Sequence, residues 1–285
     1  FTTVKEVRHE REAQIRKDNG DIPFPGWEQL TSETLEAEPR IMLQISDSNG
    51  QSVRWLEGNN EAGTHRIAWD LRYPAPNAID LNEPEFSPPW DTDPLGPLAA
   101  PGRYAARLYA IANGNATALG ISQEFNVKAV FPAPSGTDYE EITGFQQATA
   151  NLQRKIANAF EETGRTQELL RHMKAAAVAA PNAPPSLFTR LDAFAAQLSQ
   201  LTSRLSGDPV RSQLFESRAP SIASRAGNAA MAMHTTRAAT ATQRSDFELA
   251  TKDFAAFEAD LRSLLDDDLS QLEADLTAAG APSWR

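Results

Sequence analysis

The residues of this chain best suited to chemistry are two carboxylates beside an aromatic ring, in the stretch Trp90-Asp91-Thr92-Asp93. Glycosidases use paired carboxylates to flank the scissile bond, and sugar-binding sites also place acids next to exposed aromatic rings. The stretch lies in a proline-rich segment that carries Phe86 as well. We therefore predict an interaction surface of Phe86, Trp90, Asp91 and Asp93, in which the two acids order the loop.

Other residue types with catalytic potential lack the spacing that catalysis or metal binding needs. The sequence "HEREA" at 9–13 has Ala13 where the helix of a zinc protease has its second histidine. His65, His172 and His234 are far apart in the sequence, and there is no cysteine. Nucleophile-elbow, phosphate-loop and dinucleotide-binding glycine patterns are also missing. We predict no catalytic, cofactor-binding or metal-binding residue and no cofactor.

Composition limits the partners of the chain. Its 285 residues favour two domains, and 41% hydrophobic with 23% charged residues is typical of a folded protein. A net charge of −11 argues against nucleic acid as a partner, since phosphate binding needs clustered Lys and Arg. No apolar run approaches the ~20 residues that cross a bilayer, so we expect no membrane insertion. The opening "FTTVKEV" lacks Met and a signal peptide, which indicates a fragment.

The elements that would position these residues fall into three regions. Residues 1–39 predict a solvent-facing helix at 4–19, followed by a linker that Phe24 and Trp27 hold in place. Residues 40–131 have the period-two alternation of strands, with a hairpin turn at "DSNG" (47–50) and a long proline-rich loop at 74–101. We predict an antiparallel Ig-like β-sandwich for this region.

The stretch "AGTHRIAWDLRYP" at 62–74 predicts one strand of that sandwich. Ile67, Trp69 and Leu71 alternate with Arg66, Asp70 and Arg72, so we expect the apolar three to face the core.

Residues 137–281 have helical spacing and predict an up-down four-helix bundle, which makes the whole chain α+β and multidomain. We expect helices near 140–179, 186–206, 218–235 and 245–279, the last with a capping box of Ser245 and Glu248. Gly164 and Gly227 weaken the first and third helices. The sequence does not show whether the apolar helix faces pack on the sandwich or on another chain, since such a face suits either contact.

Beyond these patterns, "ISDSNGQSVRWLEG", "AGTHRIAWDLRYP" and "GPLAAPGRYAARL" together resemble the Ig-like module near the C-terminus of bacterial sortilin-like, BNR-repeat β-propeller proteins often labelled glycosyl hydrolases. A similar order of strands occurs in flagellar hook-capping proteins. The tail "LEADLTAAGAP" is similar to the segment that follows this module. The resemblance implies framework positions at Gly63, Trp69, Asp70, Gly102 and Tyr104.

The resemblance further implies a secreted, periplasmic or cell-envelope location, and a β-propeller upstream in the same parent protein. We therefore expect a non-catalytic, structural and protein-interaction region, with that propeller as partner and another envelope protein or a glycan as further candidates. One alternative is a carbohydrate-binding accessory region of a glycoside hydrolase, whose glycan binding disappears in Trp90→Ala. The other is a hydrolase fragment, although glycosidase activity in this family would belong to the propeller.

Overall fold

The computed structural model describes residues 2–79, 88, 90, 94–112, 114–130 and 134–284. The chain is α+β and divides into two compact units. The sheet unit comprises residues 1–74 and 98–133, and the helical unit comprises residues 75–97 and 134–285. The proline-rich loop predicted at 74–101 therefore belongs for most of its length with the helices rather than with the strands.

Two helices precede the strands. Helix α1, Val4–Lys17, begins at a capping box in which Thr3 and Glu6 exchange hydrogen bonds, and it buries no residue. The prediction of a solvent-facing helix at 4–19 is thus confirmed to within two residues. The predicted linker contains a second helix, α2, Trp27–Leu35. The sequence did not predict α2, because Pro23, Pro25 and Gly26 lie just before it and are typical of irregular structure.

The sheet has four antiparallel strands in the order β2-β1-β3-β4. Their bounds are Arg40–Asp47 (β1), Ser52–Gly58 (β2), Gly102–Ala112 (β3) and Asn115–Val127 (β4). The predicted hairpin is confirmed: the Asp47 carboxylate accepts hydrogen bonds from the amides of Asn49 and Gln51, which closes the turn between β1 and β2. One face of the sheet carries the core residues Ile45, Val53 and Tyr104.

The prediction of a strand at 62–74 is wrong. Residues 64–70 are irregular, and Leu71 has φ +59°, a left-handed conformation that interrupts the alternation expected of a strand. Leu71 is exposed, whereas Trp69 does pack on the sheet core. Among the described residues there is one sheet, and no second sheet of a sandwich accompanies it. The inner face is covered instead by the irregular segment and by Ala99.

The helical unit has helices in the four predicted regions and one short helix, Pro209–Gln213, where only a break was expected. The bounds are Tyr139–Ala179 (α3), Pro185–Ser206 (α4), Pro209–Gln213 (α5), Ile222–Ala230 (α6), Ala241–Ser263 (α7) and Ser270–Ala278 (α8). A 3₁₀ turn, Met231–His234, extends α6, and a π-helical turn, Leu264–Leu269, joins α7 to α8. The third predicted helix is therefore shorter than 218–235. The fourth was expected to be a continuous α-helix, but a π-helical turn interrupts it. Gly164 does not interrupt α3.

The start of α7 corrects one local prediction. The capping box is formed by Thr240 and Gln243, five residues before the predicted pair Ser245 and Glu248. Both pairs have the spacing of a capping box, and the earlier one gives the helix an additional turn.

One hydrophobic core joins α3, α4, α6, α7 and α8. Its completely buried large side chains include Phe257, Met173, Leu187, Leu191, Leu198, Leu205, Leu272 and Leu276. The predicted apolar faces of α4 and α7 therefore point inward. Phe160 of α3 and Phe188 of α4, which the spacing also assigned to apolar helix faces, are each 38% exposed because they lie at the margins of their apolar stripes.

Candidate functional site

Two of the five framework residues, Trp69 and Tyr104, belong to the core on the inner face of the sheet. Trp69 is half-buried, and its ring meets that of Tyr104 edge-on with 5.5 Å between centroids. Phe125 completes the group at 6.1 Å from both rings. The indole nitrogen of Trp69 donates a hydrogen bond to the Arg72 carbonyl oxygen at 3.0 Å. Both the ring and the polar atom of Trp69 are thus engaged in holding the covering segment on the sheet.

Asp70 forms the turn that follows Trp69. Its carboxylate accepts a hydrogen bond from the Arg72 amide at 3.0 Å, as Asp side chains do in turns. Between them, the Leu71 carbonyl accepts from the Ala99 amide at 2.8 Å. Because the Asp70 carboxylate is oriented by its own backbone, its position supports a structural role.

The other framework positions also shape the backbone. Gly63 has φ +142°, a conformation that favours glycine, but it lies in the exposed 61–63 bend outside the aromatic group. Gly102 is the first residue of β3. Two residues later, the Tyr104 hydroxyl donates to the Ala100 carbonyl oxygen at 2.7 Å. Burial raises the pKa of the Tyr104 phenol to about 12, since the charged phenolate loses hydration there.

The predicted loop surface is described only in part. Trp90 is 80% exposed, whereas Phe86, Asp91 and Asp93 lie outside the described residues. Pro76, near the start of the loop, is buried and lines a crevice of about 190 Å³ with Phe160 of α3 and Gly227 of α6. The described beginning of the loop therefore packs on helices of its own unit. Of the four residues predicted for the loop surface, Trp90 is described, and its side chain is accessible to a partner.

A second exposed surface lies on the N-terminal helices. The rings of Phe24 and Trp27 meet edge-on at 5.2 Å, and these side chains are 62% and 77% exposed. Val4 and Leu35 line a neighbouring depression with Trp27, bordered by the polar residues Glu28, Thr31, Ser32 and Glu36. We call Val4, Phe24, Trp27 and Leu35 the α2 surface. Sequence reasoning missed it because these aromatics were assigned to a linker.

An ion pair fixes α2 against α1. The guanidinium of Arg8 donates to both carboxylate oxygens of Glu33, at 2.8 and 2.7 Å, and Gln29 donates to the same carboxylate at 3.0 Å. The hydrogen bonds from Arg8 hold the pKa of the Glu33 carboxyl below its usual range. Glu33 is buried, so the α2 surface is carried on two helices that a directional contact orients.

A third group of aromatic residues lies on the outer face of the sheet. Trp55 of β2 and Tyr109 of β3 have ring centroids 5.3 Å apart, and Trp55 is 44% exposed. The guanidinium of Arg107 lies 5.7 Å from the centre of the Tyr109 ring. Sequence reasoning did not select these residues, because the strand register decides which side chains of different strands become neighbours.

Several titratable side chains of the described segments line one depression of about 690 Å³ at α1 and α2, namely Lys5, Glu6, Arg8, His9, Glu33, Glu36 and Glu38. His65 contacts the Glu61 carbonyl in a loop, and His172 contacts the Glu168 carboxylate on the exposed side of α3. Across the described ranges there is no cluster of three His, Cys, Asp or Glu residues suited to a metal ion. What the arrangement offers chemically is aromatic contact area with hydrogen-bonding neighbours, which is the chemistry of binding.

Among the described residues, none of the helices combines the length and the apolar character that crossing a bilayer requires. Comparisons with protein-family models, curated proteins and solved structures found no match to this chain.

Proposed function

We propose that this chain is a non-catalytic, structural and protein-interaction region of a larger secreted or envelope β-propeller protein of the bacterial sortilin-like, BNR-repeat kind. In this proposal the sheet unit is an Ig-like module, the helical unit is an up-down four-helix bundle, and the partner is the propeller of the same parent. The observation that carries it is the α2 surface, where Phe24 and Trp27 are more than half exposed.

The composition of the α2 surface suits a protein partner. It has an apolar centre of aromatic and aliphatic side chains and a border of hydroxyl and carboxylate groups, which is the usual anatomy of a protein interface. Large exposed aromatic rings cost free energy in water and supply most of the binding energy where interfaces form. The contact between Arg8 and Glu33 holds the two helices together before a partner arrives, which lowers the entropy cost of binding.

The inner face of the sheet supports the structural half of the proposal. Trp69, Tyr104 and Phe125 form an aromatic core, and the Tyr104 hydroxyl binds a backbone carbonyl four residues upstream. A tyrosine that bonds back to the nearby backbone is a recurrent feature of Ig-like domains. Glycine or tight-turn geometry at Gly63 and Asp70 is consistent with a framework role for these positions.

The proposal is tested by light-scattering size-exclusion chromatography of the chain, alone and mixed with the separately produced propeller portion of its parent. We expect a stable complex that Trp27→Ala weakens. Trp90→Ala reports on the loop surface in the same assay, and Phe188→Ala, a partly exposed aromatic of α4, is the matched control. A chain that stays monodisperse and does not bind the propeller portion would sink the proposal.

A further inference from the structure

The outer face of the sheet brings two aromatic rings and three hydrogen-bonding side chains together across three strands. The register places Trp55 of β2 opposite Gln44 of β1, and Gln44 opposite Arg107 of β3. The neighbouring row aligns Glu57, Met42 and Tyr109 in the same way. We call Trp55, Gln44, Arg107, Glu57 and Tyr109 the outer platform.

Contacts within the outer platform organise its polar groups around the rings. The Tyr109 hydroxyl donates to the Gln44 side-chain oxygen at 3.3 Å, which leaves the amide nitrogen of Gln44 with two N–H donors. Arg107 is exposed and lies over the Tyr109 ring. Within the described ranges its guanidinium forms no ion pair with a carboxylate. The platform thus offers donors from Gln44 and Arg107 and an acceptor from Glu57, beside the exposed ring of Trp55 and the half-buried ring of Tyr109.

This combination matches the two needs of a saccharide. The electron-rich face of an aromatic ring attracts the slightly positive C–H groups on the flat side of a pyranose ring. The hydroxyl groups at the edge of the sugar then need planar donors and acceptors, which amide, guanidinium and carboxylate groups provide. Peptides use a different geometry, since extended peptides add to a sheet edge and proline-rich ones enter aromatic-lined grooves. The outer platform is an open face that includes the central strands β1 and β3.

The angle between the rings indicates a chain of sugars. The planes of Trp55 and Tyr109 differ by 56°, so one flat ligand cannot lie on both rings. Their centroids are 5.3 Å apart, a contact distance, so the two rings form one bent aromatic surface. Two successive sugar rings that are rotated relative to one another fit this arrangement, as they occur in a soluble oligosaccharide.

Charge selects the class of oligosaccharide. The chain has a net charge of −11, which repels polyanionic glycans at long range. From the ring geometry, the polar neighbours and this charge, we infer that the outer platform binds a neutral oligosaccharide of two or more pyranose units. The inference goes beyond the proposed protein-interaction role and uses a different surface.

The test is isothermal titration calorimetry of the whole chain with cellohexaose, xylohexaose and chitohexaose, and with polygalacturonate as the anionic contrast. We expect saturable binding of at least one neutral hexasaccharide and none of polygalacturonate. Trp55→Ala is expected to weaken binding by roughly tenfold or more, because it removes one stacking face. Phe188→Ala, which removes a partly exposed aromatic residue of the helical unit, is expected to leave the affinity unchanged.

Two further variants keep the test informative if Trp55→Ala does not fold, as judged by its thermal melting. Arg107→Gln and Gln44→Ala retain both rings and are expected to weaken binding several-fold, because each removes hydrogen-bond donors. The inference is overturned if none of the three neutral hexasaccharides binds, or if the platform variants bind as well as the unaltered chain. It is also overturned if Trp55→Ala abolishes a complex with the propeller portion while no sugar binds, because the platform would then be a protein interface.

Discussion

The hydroxyl of Tyr104 donates a hydrogen bond to the carbonyl oxygen of Ala100, 2.7 Å away and four residues upstream. Through this bond, the beginning of β3 fixes the segment of chain that leads into the strand. Ala99 sits on the inner face of the sheet beside Tyr104, so the bond also fixes part of the covering layer. The side chain of Tyr104 is only 5% exposed, which limits the access of water to the bond.

Tyr104→Phe removes this bond without changing the ring. We expect the free energy of unfolding of the sheet unit to fall by about 1 kcal/mol, the usual net value of such a hydrogen bond. Urea unfolding followed by tryptophan fluorescence measures it. Tyr109→Phe is the matched control, because its longer bond to Gln44 lies on the outer face, and we expect a change below ~0.5 kcal/mol. Equal effects of the two substitutions would contradict the role given to Tyr104.

The raised pKa of Tyr104 has a consequence at alkaline pH. Burial moves it from 10.0 to about 12, so the folded chain retains this proton where the unfolded chain has lost it. The stabilisation is fully present below pH 10 and decreases as the pH rises from 10 towards 12. We expect phenolate absorbance to include a late phase that belongs to Tyr104. In Tyr104→Phe the late phase should vanish, and its persistence there would assign the raised pKa to another tyrosine.

How far the sequence predicts this fold depends on how local each signal is. The buried faces of α4 and α7 follow from helical spacing, since residues three and four apart share one side of a helix. The path at 62–74 does not follow from alternation, because the left-handed Leu71 arises from contacts with Ala99, which is distant in sequence. Helix α2 was missed because it is short and because Pro23, Pro25 and Gly26, which favour irregular structure, come immediately before it.

The candidate surfaces were less predictable for the same reason. An exposed aromatic at Trp90 could be inferred from its polar neighbours, and the structure gives it an exposure of 80%. The neighbours of Trp55 come from two other strands, so they are known only once the register is known. Tyr104 was assigned to the framework from the resemblance, but its bond to Ala100 depends on the backbone turn that precedes β3.

Gln146 is a buried polar residue that fixes the 3₁₀ turn after α6 to α3. It is 2% exposed, and its side-chain nitrogen donates to the carbonyl oxygens of Ala232 and Thr235, each at 2.8 Å. Gln146→Leu keeps the approximate volume and leaves both carbonyls without this donor. We expect the helical unit to lose about 1–2 kcal/mol, because the Ala232 carbonyl keeps only the hydrogen bonds from Thr235 at 3.3 Å and water reaches the Thr235 carbonyl.

Urea unfolding followed by far-ultraviolet circular dichroism measures this loss. Gln147→Leu is the neighbouring control: Gln147 is half-buried and its side chain makes no hydrogen bond within the described part of the chain, so we expect a change within ~0.5 kcal/mol. A Gln146→Leu chain as stable as the Gln147→Leu chain would show that the two bonds contribute little to the position of the turn.

The contact between Arg8 and Glu33 makes the N-terminal helices sensitive to acid. Hydrogen bonds from Arg8 lower the pKa of Glu33 below 4.5, so the folded state releases this proton more readily than the unfolded state. The stabilisation is therefore present above pH 4.5 and is lost as the pH falls through the folded pKa. We expect the carbon resonance of the Glu33 carboxyl to report a pKa below 4.5. In Arg8→Gln, we expect this pKa to rise again.

Glu33→Gln reproduces the acid state at neutral pH, because the neutral amide cannot pair with the guanidinium charge. We expect faster amide hydrogen exchange in α1 and α2 and no change in the helical unit, since the contact lies within the sheet unit. Glu10→Gln, an exposed position on α1, controls for the loss of one charge. If the two variants exchange at the same rate, α1 and α2 are held by other contacts. The α2 surface would then keep its geometry, and its affinity for a partner should not change on acidification.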